Sequence, residues 1–311
     1  MAMRLVALTF ALLLGAATDE RKPVDALLVR PGEPVPATIE GQPVRLRVES
    51  GGLNRLTLTS ATVARLALKP APILGKASLR LAGRKEFVGH NRPLDFAIDG
   101  LAAKGRAFWF DAAELGNTDA VIGPWGLPQA RVTFQLPGPG EGAELYRYPL
   151  RGDVNSLAVT VLTTSGKAVG IAFETEGRRT LPLVSAAFGA LLAEQLDGHV
   201  SGPSWDEPVL LGITRPVRLL TLGKPLELGP FRFTRLAVRV PDRVDEAGRG
   251  PAIREAGEDD PAEVVVAANA KGRQPVYSLF IPAAAVKRCA TLAFDKVSKM
   301  IELRCRPQHD G

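Results

Sequence analysis

The chain has 311 residues, of which 46% are hydrophobic and 23% are charged, so it can form a core of normal size in one or two domains. Its 39 basic and 33 acidic residues leave a formal net charge of +6. The basic residues are scattered, without long runs or interleaved aromatic residues, so we expect no nucleic-acid partner. The three histidines lie far apart in the sequence, so we expect no metal site and no other cofactor.

The first residues have the pattern of an export signal. Arg4 gives a basic start, an apolar run follows over residues 5–17, and small residues end the run before the charged segment that begins at Asp19. The run is shorter than the roughly 20 residues that span a bilayer. We therefore predict a cleaved signal peptide over residues 1–17, with an uncleaved membrane anchor as the alternative. The mature chain is then exported, periplasmic or secreted, and has no membrane span.

Short apolar stretches with a period of two follow and predict β-strands. The clearest of these are residues 44–48, 131–136, 157–161 and 232–240. Helical spacing after a Ser or Pro start predicts short helices over residues 60–68, 184–196 and 282–288. Strands dominate, so we predict an all-β fold with a few short helices.

Two stretches interrupt this pattern. A segment rich in Pro and Gly at residues 136–142 predicts the end of a first lobe, so we place the lobes at residues 30–150 and 151–307. Residues 241–272 are charged and contain few branched or aromatic apolar residues. This composition predicts an exposed, mobile insertion in the second lobe.

Both cysteines, Cys289 and Cys305, lie near the end of the chain. An even number of cysteines in an exported chain favours a disulfide, because oxidising compartments preserve the bond. The residues between them have the pattern of two strands around a polar turn at 295–299. A hairpin centred on Val297 places the two cysteines opposite each other, so we predict that they are bonded.

The two lobes share one order of features. In the first lobe the strand at 44–48 is followed by Glu49, a serine, glycines and a helix. In the second lobe the strand at 169–173 is followed by Glu174, a threonine and a helix. The second copy is longer than the first by nearly the length of the charged segment. We infer an internal duplication.

This layout, with the motif DAVIGPWGL at residues 119–127, resembles the retropepsin-like and pepsin-like aspartic peptidases in their exported bacterial form with two lobes. The resemblance implies two tandem lobes of the closed β-barrel type that face a cleft, with flap hairpins from residues 79–98 and 197–217. It implies that Glu49 and Glu174 occupy the positions of the catalytic pair. It also implies that the cleft is lined by the following residues: Ser50, Gly51, Gly123, Thr175, Glu176 and Gly177.

The sequence departs from the family pattern at the reactive positions. Glu49 and Glu174 stand where the family has aspartates, Glu176 stands where it has a glycine, and Pro282 replaces the counterpart of Gly123. Two carboxyls that share a proton lie about 3 Å apart, and a misplacement of about 1 Å can reduce the rate roughly a hundredfold. We expect Glu176 to add a third acid beside the pair and to strain its loop. We expect Pro282 to change the shape of the supporting loop.

These departures favour an exported, monomeric and non-catalytic protein that binds an extended peptide or protein segment in its cleft. The alternative is an active acid endopeptidase that uses the glutamate pair. Two further interpretations stay open. In one, the chain is a structural envelope protein whose cleft holds no ligand, and in the other the glutamates are ordinary polar residues at strand ends.

Overall fold

The computed structural model describes residues 25–81, 85–111, 113, 115–240, 264–265 and 276–307. The predicted signal peptide lies outside these residues, as does the predicted insertion at 241–272 except for Val264 and Val265. The described part is mostly β, with 20 strands, three α-helices and one 3-10 helix. The β-rich class of fold is therefore confirmed. Among the described helices, none is both long and apolar enough to cross a bilayer.

The elements follow one another along the chain in this order. The first ten strands are β1 (Ala26–Val29), β2 (Val35–Ile39), β3 (Gln42–Val48), β4 (Leu56–Leu58), β5 (Lys76–Leu81), β6 (Lys85–Ile98), β7 (Leu101–Phe110), β8 (Ala120–Ile122), β9 (Arg131–Gln135) and β10 (Glu144–Gly152). The second ten are β11 (Ser156–Val161), β12 (Ala168–Phe173), β13 (Leu183–Val184), β14 (His199–Leu210), β15 (Ile213–Leu228), β16 (Phe231–Arg239), β17 (Val264–Val265), β18 (Ser278–Ile281), β19 (Cys289–Asp295) and β20 (Met300–Cys305). The helices are α1 (Ser60–Arg65), the 3-10 helix (Pro124–Gly126), α2 (Ala186–Gln195) and α3 (Ala283–Val286).

Six strands of the first part of the chain close into a barrel. Their order is β6, β2, β3, β8, β4 and β7, and the ring closes because β7 also pairs with β6. In β3 the residues Val44, Leu46 and Val48 are buried, and the residues between them are not. Alternating burial of this kind directs one face of each strand into the core and leaves the other for polar groups.

Twelve strands form the second sheet, in the order β1, β9, β19, β20, β10, β11, β12, β18, β13, β16, β15 and β14. Its first five strands come from the beginning, the middle and the end of the chain. Phe134 of β9 and Phe294 of β19 are fully buried and meet edge to face, with ring centroids 5.9 Å apart. This part of the sheet therefore joins segments that are distant in sequence.

One pattern of strand pairing occurs twice. β3 runs parallel to β8, β8 runs antiparallel to β4, and β4 runs parallel to β7. In the same way, β12 runs parallel to β18, β18 runs antiparallel to β13, and β13 runs parallel to β16. Among the described strands only the first set closes into a barrel, whereas the second set is part of the long sheet.

The disulfide between Cys289 and Cys305 is present, as predicted. The two residues are directly opposite each other in the β19–β20 hairpin. Asp295 stabilises the turn, because its Oδ1 accepts hydrogen bonds from the N–H groups of Val297 and Ser298, each at 3.0 Å.

Candidate functional site

Glu49 and Glu174 follow equivalent strands of the repeated pattern. The backbone N–H of Glu49, just after β3, donates to the carbonyl of Ile122 at the end of β8 (3.0 Å). The N–H of Glu174, just after β12, donates to the carbonyl of Ile281 at the end of β18 (2.9 Å). The same backbone hydrogen bond therefore begins both loops.

The two loops are in direct contact through buried hydroxyl residues. The backbone N–H of Thr175 donates to Ser50 Oγ (3.0 Å), and Ser50 Oγ donates to Thr175 Oγ1 (3.2 Å). Each residue is only 1% exposed. Gly51 lies beside the second glutamate, since a Cβ built on it would be 3.6 Å from Glu174 Cγ. The structure thus brings Ser50, Gly51, Thr175 and Glu174 together.

Glu49 is bound by an arginine of its own strand. Arg47 donates to Glu49 Oε1 from Nε (3.1 Å) and also from Nη2. Its Nη2 donates in addition to the backbone carbonyl of Leu115 (3.1 Å). Arg47 was not identified from the sequence, although it lies two residues before Glu49, and residues at this spacing share one face of a strand.

Glu174 is bound by a buried arginine of its own loop. Arg179, whose side chain is 6% exposed, donates from Nη1 to Glu174 Oε1 (2.6 Å) and from Nη2 to the carbonyl of Pro208 in β14. Its Nε lies 3.8 Å from Glu207 Oε2, and Trp205 Nε1 donates to Glu207 Oε1 (2.9 Å). The arginine therefore connects the glutamate loop to the β14–β15 hairpin. No periodicity in the sequence indicates this network.

Burial raises the pKa of Glu174 above its ordinary value of 4.5. The charge and the hydrogen bond of Arg179 oppose the effect, and the charges of Glu207 and Glu49 add to it. Glu174 therefore keeps its proton to a higher pH than a solvated glutamate, and the charge of Glu49 contributes to this effect.

Glu176 does not stand beside this pair, so that prediction is wrong. Its carboxylate accepts a hydrogen bond from the N–H of Gly32, in the loop after β1 (2.9 Å), and the additional acid beside Glu174 is Glu207. The expected strain is absent too. The left-handed backbone of this loop falls on Gly177, with φ of +118°, and the φ of Glu176 is not positive.

At Pro282 the backbone has nearly the same conformation as at its counterpart Gly123, so the proline itself introduces no change there. It precedes α3 with φ −71° and ψ 155°, and Gly123 precedes the 3-10 helix with φ −83° and ψ 161°. A proline fits this position because its ring fixes φ near −65°. Glycine is required at position 123 for a local reason, since a Cβ there would lie 2.7 Å from the backbone carbonyl oxygen of Gly52 and 2.9 Å from that of Leu53. Gly123 therefore packs behind the first loop.

The two predicted flap hairpins correspond to β5–β6 and β14–β15, each longer than expected. The tip of β14–β15 reaches residues of the barrel. Leu211 at this tip is 8% exposed and belongs to a buried cluster with Leu53, Leu79 and Phe110. The last three residues also line a cavity of about 290 Å³ between β4, β5 and β7. The hairpin therefore packs next to this cavity.

No protein-family model matches the chain, and a search of curated proteins finds no relative. Among the described residues, no group of three or more His, Cys, Asp or Glu side chains is arranged to hold a metal ion.

Proposed function

We propose that this protein has two tandem lobes with the plan of an aspartic peptidase and binds an extended peptide or protein segment without cleaving it. The repeated strand pairing supports this plan, because it begins the Glu49 and Glu174 loops with the same backbone hydrogen bond. The contact between Ser50 and Thr175 supports it as well, since it joins the two loops one residue after each glutamate.

The main support for a non-catalytic function is that each glutamate is bound by an arginine. A peptidase pair needs two carboxyls about 3 Å apart that share one proton and hold a water. Here the Oε1 atom of Glu49 accepts two hydrogen bonds from Arg47, and Glu174 is bound by the buried Arg179. Guanidinium groups favour the ionised form of the carboxylate they contact. They also occupy oxygens that a shared proton and a water would need.

Binding needs no reactive pair, because an extended segment is held by backbone hydrogen bonds and by side-chain pockets. The cavity between β4, β5 and β7 offers an apolar wall that includes Phe108. The disulfide between Cys289 and Cys305 supports action after export, because such bonds persist in oxidising compartments.

Fluorescence anisotropy with labelled extended peptides tests the binding function. We expect saturable binding, and we expect Phe108→Ala to weaken it by about tenfold, since aromatic side chains in well-packed pockets dominate such interfaces. Val297→Ala is the matched control, because Val297 is 81% exposed in the distant β19–β20 turn. Circular dichroism checks that both variants are folded. Failure of every extended peptide to bind would contradict the proposal.

The alternative function, an acid endopeptidase, is favoured by one observation, the raised pKa of Glu174, which suits a general acid. Incubation with an unfolded protein substrate from pH 3 to pH 7 separates the two functions. We expect no fragments beyond those of a blank without the protein. Cleavage that Glu49→Gln and Glu174→Gln each abolish would establish the endopeptidase.

A further inference from the structure

We propose that the cavity between β4, β5 and β7 selects an acidic side chain from the bound peptide. This inference rests on the proposed peptide binding and adds the chemical class of the ligand. The cavity measures about 290 Å³, at the lower end of the range for ligand pockets, and accommodates a side chain with its neighbours more readily than a large cofactor.

The cavity combines an apolar wall with two cations. Leu79, Phe108 and Phe110 supply apolar surface, and Arg55 and Lys76 supply positive charge. No aspartate or glutamate is among its lining residues. A ligand that fits this lining carries a negative charge on a short apolar stem, as an aspartate or glutamate side chain does.

Arg55 is held in place by an aromatic ring. Its guanidinium carbon lies 4.9 Å from the centre of the Phe108 ring, and this cation–π contact orients the group without using all its N–H donors. Thr57 Oγ1 donates to the backbone carbonyl of Arg55 (3.1 Å) and fixes the chain at this point. Among the described residues, no acid lies within ion-pair distance of Arg55 or Lys76, in contrast to Arg47 and Arg179.

The edge of β5 gives an extended peptide a place to lie. β5 pairs with β6 along its whole length, and on its other side, among the residues that the structure describes, it pairs with β17 only at Arg80 and Leu81. Its first four residues, 76–79, all line the cavity. Neighbouring residues of a strand point to opposite faces, so four in succession border a cavity only along the edge of the strand. A peptide strand added there would direct alternate side chains towards Arg55 and Lys76.

Anisotropy titrations with three labelled peptides test the inference. The peptides are extended and identical except for a central glutamate, glutamine or lysine. We expect the glutamate peptide to bind about tenfold more tightly than the glutamine peptide, because hydrogen bonds to a charged group are stronger than neutral ones. The lysine peptide should bind most weakly, and added salt should reduce the difference.

Variants of Arg55 and Lys76 test whether these two residues cause the preference for the glutamate peptide. The double variant Arg55→Gln with Lys76→Gln should bring the glutamate peptide to the level of the glutamine peptide, and Arg55→Lys should keep most of the preference. Lys104→Gln is the matched control, because it removes an exposed cation that lines a different cavity.

Equal binding of the glutamate and glutamine peptides by the wild type would overturn the inference but leave the proposed function standing. An undiminished preference in the double variant would also overturn the inference. Failure of all three peptides to bind would overturn both.

Discussion

Arg179 pairs with Glu174 of its own loop and with Glu207 of β14. It lies within 4 Å of carboxylate oxygens of Glu174 and Glu207, and its side chain is 6% exposed. Removal of one partner from a buried ion pair leaves a charge that is neither solvated nor paired. The stability of this region therefore depends on the whole cluster.

We expect Arg179→Met to lower the free energy of unfolding at pH 7 by about 3 to 5 kcal/mol, the usual cost of breaking a buried pair. Urea denaturation measures this value. Arg30→Met serves as the control, because the Arg30–Glu33 pair is 64% exposed at both side chains and surface pairs contribute little. Equal effects of the two substitutions would show that the Arg179 cluster is not stabilising.

The raised pKa of Glu174 makes stability depend on pH in a definite direction. The folded state binds the proton of Glu174 more tightly than the unfolded state does. The contribution of this proton to the free energy of unfolding is therefore complete below pH 4.5 and is lost as pH rises through the folded pKa. We expect Glu174→Gln to flatten the decline in stability above pH 4.5, as measured by urea denaturation at several pH values. An unchanged pH dependence would contradict the shift.

Glu302 provides a control, because its pKa is shifted in the opposite direction from that of Glu174. Hydrogen bonds from Arg131 and Arg147 lower its pKa below 4.5. The contribution of the ionised Glu302 to the free energy of unfolding is therefore present above pH 4.5 and is lost as pH falls through the folded pKa. We expect Glu302→Gln to destabilise the protein at pH 7, with a difference from the wild type that shrinks in acid.

Part of the site could be predicted from single residues. Glu49 and Glu174 are predictable because each follows an apolar strand at the same place in the duplicated layout, and the structure gives both the same backbone hydrogen bond. The error about Glu176 has a physical reason, since sequence adjacency does not determine where a loop side chain points. Arg179 lies in a loop without regular period, so its pairing with Glu174 had no signal in the sequence.

Among the elements, the β14–β15 hairpin contacts the Glu174 loop, because Arg179 donates to the carbonyl of Pro208 in β14. Leu211 at its tip has a left-handed φ of 52°, which is unfavourable for leucine, yet the residue is 8% exposed. Burial against Leu53, Leu79 and Phe110 offsets that cost. The position of the tip therefore depends on apolar packing.

We expect Leu211→Ser to destabilise the hairpin tip by about 2 kcal/mol, the lower end of the cost of truncating a buried leucine. Hydrogen exchange of the amides in β14 and β15 should become faster near the tip. Val297→Ser, at a turn residue that is 81% exposed, should leave exchange unchanged. Unaltered exchange in Leu211→Ser would contradict the importance of this packing.

The periodicity of the sequence predicted the interiors of elements better than their ends. The stretch 44–48 lies within β3, and 157–161 lies within β11. Helix α1 ends before the predicted residue 68, because Ala67 adopts a left-handed conformation with φ of 49°. Val184, the first residue of the predicted helix 184–196, belongs instead to β13, since it pairs with both β16 and β18. Such pairing between distant segments has no local pattern.

At the scale of the whole molecule, the sheet that joins distant segments should make the protein one cooperative unit. β9 from the first predicted lobe pairs with β19 from the end of the chain, and the buried Phe134 and Phe294 meet at this pairing. The internal duplication in the sequence indicated two similar sets of strands. It did not indicate that, of the strands the structure describes, only the first set forms a closed barrel.

We expect differential scanning calorimetry to find a single unfolding transition, with a calorimetric enthalpy equal to the van't Hoff enthalpy. A fragment that ends at residue 150 should not fold, because β9 would lack β19. Two separate transitions, or a stable fragment, would mean that the two parts of the chain fold independently.

The mass of the bound peptide shows whether the protein binds a peptide without cleaving it. A peptide that binds in the anisotropy titrations is incubated with the wild-type protein at pH 4 and pH 7, recovered from the complex and analysed by mass spectrometry. We expect its intact mass at both pH values, because Arg47 and Arg179 occupy the two glutamates. Fragments that appear with the wild type and are absent with Glu174→Gln would contradict the claim.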